Sequence, residues 1–237
     1  MNFEKFKKKF HSSWHSSVKS FIESESCNAI YKVLKETKGE VAPKSLFTFR
    51  SFKKPLKTTK VVLMFNEPFS TKNKEGVQDA DGIPLSCAVT LKLHPQLNAF
   101  YNAMEKEFYG VNLKLIKEPT VDFYISQGVM FLNDSLTTVI GAPGKHKGLW
   151  DEFIETIFIK AFSSRRIPIV FCGKELYEKY KKLVSDLDLP YFVIEQPIEQ
   201  SKLGIWNTNN TFKDLNNYLK TESKHEEVFW VHQDVPF

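Results

Sequence analysis

Short apolar runs that end abruptly in polar residues constrain the fold of this chain more than any other feature. The runs are 61–65, 129–132, 167–172 and 191–194, and they end at Asn66, Asn133, Gly173 and Glu195. Continuous apolar runs of this length are typical of parallel strands that are buried on both faces of a sheet. Ligands of such sheets bind beyond the carboxyl ends of the strands. The polar residues that follow the runs are therefore predicted to form one site.

Amphipathic segments alternate with these runs and predict the outer layers of the fold. Apolar residues recur at helical spacing in the segments 95–108, 149–162, 175–184 and 211–219. Another helical stretch begins near Ser12-Ser13-Trp14 and is interrupted around Ser24. The order favours an α/β protein, a three-layer α/β/α sandwich with a central four-stranded parallel sheet. The chain has 237 residues, of which 42% are hydrophobic, so we expect one domain over residues 1–237.

Composition limits the location and the cofactors of the protein. Cys27, Cys87 and Cys172 are an odd number without metal-type spacing, so we expect reduced, mostly buried thiols and a cytoplasmic location. No run reaches transmembrane length, and no signal peptide is expected before the folded part. No phosphate-binding loop or nucleophile-elbow motif is present. We therefore expect no metal, no cofactor and no membrane association, while a net charge of +5 is only weak evidence for a polyanionic partner.

Several motifs in a shared order resemble the family-one uracil-DNA glycosylases over nearly the whole chain. The strongest match is Gln127-Gly128-Val129-Met130-Phe131-Leu132-Asn133, followed at Leu136-Thr137 by the Leu-Thr of that family. Weaker matches are Ser12-Ser13-Trp14, Gly82-Ile83-Pro84-Leu85-Ser86, His146-Lys147-Gly148-Leu149-Trp150 and Asn217-Tyr218-Leu219. The resemblance implies the uracil-DNA glycosylase fold, DNA as the partner, a monomer, and hydrolysis of an N-glycosidic bond after base flipping.

The chain departs from this family at several residues that contact uracil. Phe65-Asn66-Glu67-Pro68-Phe69-Ser70 stands where the family has Gly-Gln-Asp-Pro-Tyr-His. Leu85 replaces the Phe that stacks on uracil. The final motif, which contains a base-contacting His in the family, corresponds to residues 195–203, where no His occurs. Loss of such a donor typically costs on the order of 10² to 10³ in rate, so a residue of that region replaces it or the substrate is a better leaving group.

The resemblance assigns roles to the residues that remain. Glu67 and Asn66 are the predicted catalytic residues, Glu67 as the carboxylate near the sugar and Asn66 as an amide at the base edge. Asn133, Phe69 and Leu85 are predicted to bind the base. The alternatives are a loop carboxylate on a decayed site for Glu67, a turn cap for Asn133, and core packing for Leu85. Asp134 is interpreted as a turn or capping residue.

One loop of the pocket is longer than in the family. Pro68 to Gly82 spans fifteen residues where the family has ten. Its polar stretch 71–81 predicts a surface loop, and the extra length predicts room for a larger base. The predicted DNA contacts are Lys72, Lys74, His94, Lys145, His146, Lys147, Gly173, Lys174, Ser201, Lys202 and Leu203. Among them, Gly173-Lys174 corresponds to a phosphate clamp, and Leu203 to a loop that wedges into the duplex.

These observations predict a DNA glycosylase that excises a modified base other than plain uracil and leaves an abasic site. A bulky modified cytosine of phage DNA would suit the longer loop and the retained Asn133, which implies a role in antiviral defence. The alternative is a catalytically inactive glycosylase fold that binds DNA or serves replication. A uracil glycosylase with a divergent site is the third possibility. The sequence leaves open the base, the strandedness of the DNA and the substitute for the missing His.

Overall fold

A four-stranded parallel sheet lies at the centre of the computed structural model, which describes residues 3–110, 116–195 and 206–232. In chain order the strands are β1 (Val41–Ala42), β2 (Val61–Phe65), β3 (Val129–Asn133), β4 (Thr138–Val139), β5 (Ile169–Cys172) and β6 (Tyr191–Ile194). The central sheet has the order β3-β2-β5-β6, and β1 pairs with β4 in a separate antiparallel ladder. The four apolar runs are therefore strands of one parallel sheet, as predicted.

The helices also follow the predicted pattern. They are α1 (Phe3–Phe6), α2 (His15–Ile22), α3 (Glu25–Glu36), α4 (Pro95–Tyr109), α5 (Asp122–Ser126), α6 (Asp151–Ile157), α7 (Ser163–Arg165), α8 (Lys174–Asp186) and α9 (Thr211–Thr221). The interruption near Ser24 is the start of α3, because the Ser24 hydroxyl accepts a hydrogen bond from the Cys27 N–H at 3.2 Å. A π-helical segment, Phe158–Phe162, continues α6 into α7.

Two apolar clusters, one on each face of the sheet, complete the three layers. In β2, Val62 and Met64 belong to the cluster shared with α2, α6 and α8, whereas Val61 and Leu63 belong to the cluster shared with α4, α5 and α9. This alternation follows from the two-residue period of a strand. Both faces of the central strands are covered, so the predicted α/β/α sandwich is confirmed. The three cysteines are buried and form no disulfide in the described part of the chain, which agrees with the expected reduced thiols.

The register of the sheet brings the polar strand ends together. Phe65 of β2 lies opposite Asn133 of β3, and the pairing continues beyond the strands. The Asp134 N–H donates to the Phe65 carbonyl at 2.7 Å, and the Ser135 N–H donates to the Asn66 carbonyl at 2.8 Å. The residues after β2 and β3 are therefore held side by side at the carboxyl edge of the sheet. Within the described ranges, no helix is both long and apolar enough to cross a bilayer.

Candidate active site

Glu67 lies where three cavities meet at the carboxyl edge of the sheet. The smallest, about 20 Å³, is also lined by Asn133 and Leu85, and we call it the base cavity. The second, about 240 Å³, includes Asn66 and His94. The third, about 480 Å³, includes Asn66 and reaches α8. The structure thus brings four of the five predicted catalytic and base-binding residues, Glu67, Asn133, Phe69 and Leu85, around one cavity, with Asn66 beside it.

The Glu67 carboxylate is positioned by a backbone donor from another loop. The Gly144 N–H lies 2.8 Å from both carboxylate oxygens of Glu67. Gly144 has a φ of +76°, a left-handed conformation that glycine adopts without steric cost. Gly144 was not recognised from the sequence, although the Gly-rich stretch 141–148 could have indicated a turn there.

Asn133 lines the base cavity and carries a buried acceptor without a hydrogen-bond partner among the described residues. It is the last residue of β3, its exposed fraction is 3%, and its Oδ1 has no hydrogen-bond partner among the described residues. An unpaired buried polar atom costs on the order of 1–3 kcal/mol, and such atoms usually have a ligand or solvent partner. The alternative prediction, that this oxygen caps a turn, is wrong, because it accepts no bond from the neighbouring backbone.

Leu85 is held in the cavity wall by a buried carboxylate. It has a φ of +67°, which is strained for a residue with a side chain. Asp81 fixes the surrounding segment, since its carboxylate accepts hydrogen bonds from the Ile83 N–H at 3.0 Å and the Ala88 N–H at 2.8 Å. Arg50 lies 2.7 Å from the same carboxylate and balances its charge. These contacts hold Leu85 in the strained conformation.

Phe69 and His94 form a stacked pair at the rim of the base cavity. Their ring centroids lie 3.7 Å apart, and the planes differ by 25°. His94 also begins α4, because its Nδ1 accepts a hydrogen bond from the Gln96 N–H at 3.3 Å. Burial, reinforced by repulsion from Lys92, lowers the pKa of His94 from 6.5 to about 4. His94 is therefore a neutral part of a cavity wall, and its predicted contact with DNA stays a prediction.

The longer loop does not widen the base cavity, which corrects the sequence-based expectation. Its extra length forms a hairpin at 72–78, in which Lys72 pairs with Gln78 and the Asn73 side chain accepts from two backbone N–H groups of the turn. The Gln78 side chain donates to Glu40 at 2.7 Å. Lys72 forms an ion pair with Glu40, while Lys74 lies exposed at the tip of the turn.

The end of this loop is buried, although its polarity predicted a surface position. Asp79 and Asp81 have exposed fractions of 0%, and each is balanced by a cation. Asp79 accepts hydrogen bonds from the side chains of Thr71, Thr90 and Lys92. From the stretch 71–81, only Ala80 lines the base cavity. The two carboxylates therefore hold the loop against the body of the protein.

His146 has an internal structural role, so the prediction that it contacts DNA is wrong. Its exposed fraction is 3%. The two ring nitrogens lie 2.9 Å from the Thr137 hydroxyl and 3.2 Å from the Thr37 hydroxyl. Burial lowers its pKa, which favours the neutral ring. His146 thus connects the loop after β4 to the end of α3.

Asp134 belongs to a charged network, which differs from the predicted turn or capping role. Lys179 of α8 lies 2.7 Å from one Asp134 oxygen and 2.6 Å from an Asp151 oxygen. The Tyr180 hydroxyl donates to the other Asp134 oxygen at 2.5 Å. The network fixes α8 and α6 to the end of β3. Lys179 could not be identified from the sequence, because its partners are distant along the chain.

The predicted DNA contacts are only partly gathered at this edge. Lys145, Lys147 and Lys174 are exposed, and Lys174 begins α8. The Gly173 N–H donates to the Ile194 carbonyl at 2.8 Å, so this amide is not available to a phosphate, contrary to the predicted clamp. Ser201, Lys202 and Leu203 lie outside the described residues, as does most of the region of the missing His.

Comparison with known proteins agrees with the fold and the order of motifs. The chain is 27% identical over 227 residues to the uracil-DNA glycosylase of Borreliella burgdorferi (strain ATCC 35210 / DSM 4680 / CIP 102532 / B31), covering 92% of this chain and 97% of that protein. It is 26% identical over 230 residues to the uracil-DNA glycosylase of Streptococcus pneumoniae (strain Hungary19A-6), covering 93% and 99%. No protein-family model matches the chain.

Solved structures show the same fold. The crystal structure of mimivirus uracil-DNA glycosylase superposes with a TM-score of 0.77 at 17% identity and covers 97% of this chain and 89% of that one. The enzyme of Nitratifractor salsuginis superposes with a TM-score of 0.63 at 13% identity and covers 87% and 98%. The chain is thus similar to uracil-DNA glycosylases in sequence over nearly the full length of the bacterial proteins, and it has the fold of the solved structures.

Proposed function

We propose that the protein is a DNA glycosylase that hydrolyses the bond between an everted base and its deoxyribose. The observation that carries this proposal is that the Glu67 carboxylate and the Asn133 amide line the same cavity at the carboxyl edge of the sheet. An unpaired acceptor of Asn133 suits the edge of a base, and a carboxylate nearby suits the sugar. The named activity of the bacterial relatives supports the same reaction class.

The chemistry follows from the positions of these groups. The bond from C1′ to the base nitrogen breaks, and the electron pair leaves with the base, so positive charge develops on the sugar. The Glu67 carboxylate stabilises that charge and orients a water, whose oxygen bonds to C1′. One proton of the water passes to the carboxylate, which then releases it to solvent, and the departing base anion takes up one proton from solvent. The Gly144 N–H fixes the carboxylate before the reaction, so little reorganisation is needed.

The substrate that we propose is a modified pyrimidine other than plain uracil. Leu85 supplies no flat stacking surface, and Phe69 already stacks on His94. The cavity of about 480 Å³ shares Glu67 with the base cavity and is also lined by the polar side chains of Asn66, Asp134, Ser135, Lys147, Glu175 and Lys179. A polar appendage on the base would find hydrogen-bonding partners there. A bulky modified cytosine of phage DNA has this character, and a defence role would follow.

Base release from defined oligonucleotides tests this function. Duplex and single-stranded oligonucleotides would carry uracil, cytosine, 5-hydroxymethylcytosine or glucosylated 5-hydroxymethylcytosine at one position. Mass spectrometry would identify the released base, and alkaline cleavage would count abasic sites. We expect release of a modified pyrimidine by the wild type and none by Glu67→Gln. Equal, background-level release by both proteins from every oligonucleotide would refute an enzymatic function.

The same samples distinguish the inactive DNA-binding alternative. Salt-dependent binding by wild type and Glu67→Gln alike, without abasic product, would favour a protein that binds DNA through its exposed lysines. Release of plain uracil at the highest rate would instead contradict the proposed substrate but leave the reaction class intact. For the defence role, the plating efficiency of phages with glucosylated and unmodified genomes would be compared in cells that express wild type or Glu67→Gln.

A further inference from the structure

Few polar side chains line the base cavity. The lining comprises Phe65, Glu67, Pro68, Phe69, Ala80, Gly82, Ile83, Pro84, Leu85, Gln96 and Asn133. Only Glu67, Gln96 and Asn133 among these carry polar side chains. In the proposed reaction Glu67 acts at the sugar, and Asn133 carries a buried Oδ1 without a partner among the described residues. Gln96 is therefore the remaining polar side chain in the described lining, and the proposed mechanism does not use it.

Gln96 is held at the cavity by the start of α4. Its N–H donates to the ring of His94, and Pro95 precedes it in the first turn. The backbone there is constrained by the cap and by the proline ring. The Gln96 side chain is partly buried and forms no hydrogen bond with the described part of the chain. Gln96 lines both the base cavity and the cavity that includes Asn66 and His94, so it lies at the boundary between these two cavities.

We propose that Gln96 donates a hydrogen bond to a carbonyl oxygen of the everted base while Asn133 accepts one from a base N–H. This inference rests on the proposed function and deepens it. When the glycosidic bond breaks, the base gains negative charge, which spreads onto its carbonyl oxygen. An amide N–H stabilises that charge without transferring a proton. Gln96 would thereby supply, from α4, a donor that the motif region 195–203 does not provide through a histidine.

The two amides together define a class of base. The Asn133 oxygen requires an N–H on the pairing edge of the base, and the Gln96 amide requires a nearby carbonyl oxygen. Pyrimidines with a 2-oxo group and an N–H at position 3 or 4 satisfy both requirements. The surrounding Ile83, Leu85 and Phe69 supply apolar contacts to the ring. The selectivity of the base cavity is therefore for oxo-pyrimidines.

Leaving-group dependence tests this role. Single-turnover release would be measured for wild type, Gln96→Ala and Asn98→Ala with two pairs of duplexes, uracil against 5-fluorouracil and 5-methylcytosine against 5-formylcytosine. The second base of each pair leaves more easily. Asn98 is the matched control, because it lies on the same helix, is partly buried, and does not line either cavity. Circular dichroism and the melting temperature would verify that each variant folds.

We expect Gln96→Ala to lower the single-turnover rate constant of base release by about 10²-fold on the poorer leaving group, with unchanged affinity for DNA. The loss should shrink severalfold on the better leaving group, since less charge needs stabilisation. Asn98→Ala should stay within about twofold of wild type. An unchanged rate constant in Gln96→Ala would overturn the proposal. An equal loss on both members of a pair would also overturn it, because it would indicate a purely structural role.

A second readout separates this inference from the proposed function. If wild type releases base from no oligonucleotide, the proposed function fails, and binding of free uracil and free cytosine is measured by NMR. Tenfold weaker binding by Gln96→Ala than by Asn98→Ala would still support base recognition by Gln96. Equal binding by the two variants, or no binding by wild type, would overturn it.

Discussion

The Gly144 N–H lies 2.8 Å from each carboxylate oxygen of Glu67 and so connects the loop after β2 to the loop after β4. The side chain of Glu67 is one methylene longer than the aspartate of the resembled family, and this contact fixes where its carboxylate lies. A shorter side chain at this position would not reach the same donor. The contact therefore explains how a glutamate can occupy a position that normally holds an aspartate.

Two substitutions of Glu67 should distinguish the effect of its charge from the effect of its side-chain length. We expect Glu67→Gln to lower the rate of base release by about 10³-fold, because it removes the carboxylate but keeps the length. Glu67→Asp should lower it by about 10²-fold, because the charge is retained but displaced from Gly144. Single-turnover kinetics would give the rates, and fluorescence anisotropy should show unchanged DNA affinity. Full activity in Glu67→Asp would show that the contact with Gly144 is dispensable.

Replacing Asn133 with an apolar residue should raise the stability of the protein and abolish base release. Replacing Asn133 with leucine, which has the same number of side-chain heavy atoms and the same branching, removes the unpaired Oδ1 from a buried position. We expect the free energy of unfolding to rise by about 1 kcal/mol, since the desolvation cost of that atom disappears. Base release should fall to background. Urea denaturation and mass spectrometry of released base would measure the two effects, and a loss of stability would argue that Asn133 has a structural partner.

His94 should make stability depend on pH below neutrality. Its pKa falls from 6.5 in the unfolded chain to about 4 in the folded protein, because the ring is buried beside Lys92. The unfolded state then binds the proton first, so stability is complete above pH 6.5 and decreases as the pH falls toward 4. His94→Asn retains an N-cap acceptor and lacks this titration. Urea unfolding at intervals between pH 7 and 4 should show a shallower decline in the variant.

The hydrogen bond from Tyr180 to Asp134 should contribute to stability without entering the reaction. Tyr180→Phe leaves one oxygen of a buried carboxylate without its hydroxyl donor. We expect this variant to lose about 1–2 kcal/mol of unfolding free energy while the rate of base release stays near that of wild type. Tyr177→Phe on the same helix is the control, since the Tyr177 hydroxyl contacts only the exposed Tyr191 hydroxyl. Equal losses in the two variants would contradict the assignment.

Exposed lysines at the carboxyl edge should determine the salt dependence of DNA binding. Lys145, Lys147 and Lys174 are exposed near the cavities. If each contacts one phosphate, replacing all three with alanine should reduce the slope of log Kd against log salt by about 2.7 units. Anisotropy titrations at several salt concentrations would measure the slope. Lys32→Ala, Lys35→Ala and Lys38→Ala combined would serve as the charge-matched control on and after α3.

The sheet could be predicted because its signal is local. Each strand is a continuous apolar run, and the helix starts at Ser24 and Pro95 carry recognisable caps. The grouping of Glu67 with Asn133 also followed from the carboxyl-edge rule for parallel strands. That residues 1–237 form one domain stays a prediction.

The contacts that complete the site could not be predicted, because they join residues that are distant in sequence. Gly144 reaches Glu67 across 77 positions, and Tyr180 reaches Asp134 across 46. His146 was misassigned because a polar residue in a matching motif gives no information about burial. Asp79 and Asp81 were misassigned for the opposite reason. Their polarity indicated a surface position, whereas both carboxylates are buried and are compensated there by cations and by hydroxyl or amide donors.

The hairpin at 72–78 changes how insertions in this chain are to be interpreted. The hairpin contacts Glu40 through the side chains of Lys72 and Gln78. The two buried aspartates that follow it, Asp79 and Asp81, hold the next segment against the protein before the wall of the base cavity begins. Residues can thus be added between two motifs without altering the volume that a substrate meets. The separation of motifs along a sequence is consequently a poor measure of how large a ligand the enclosed site accepts.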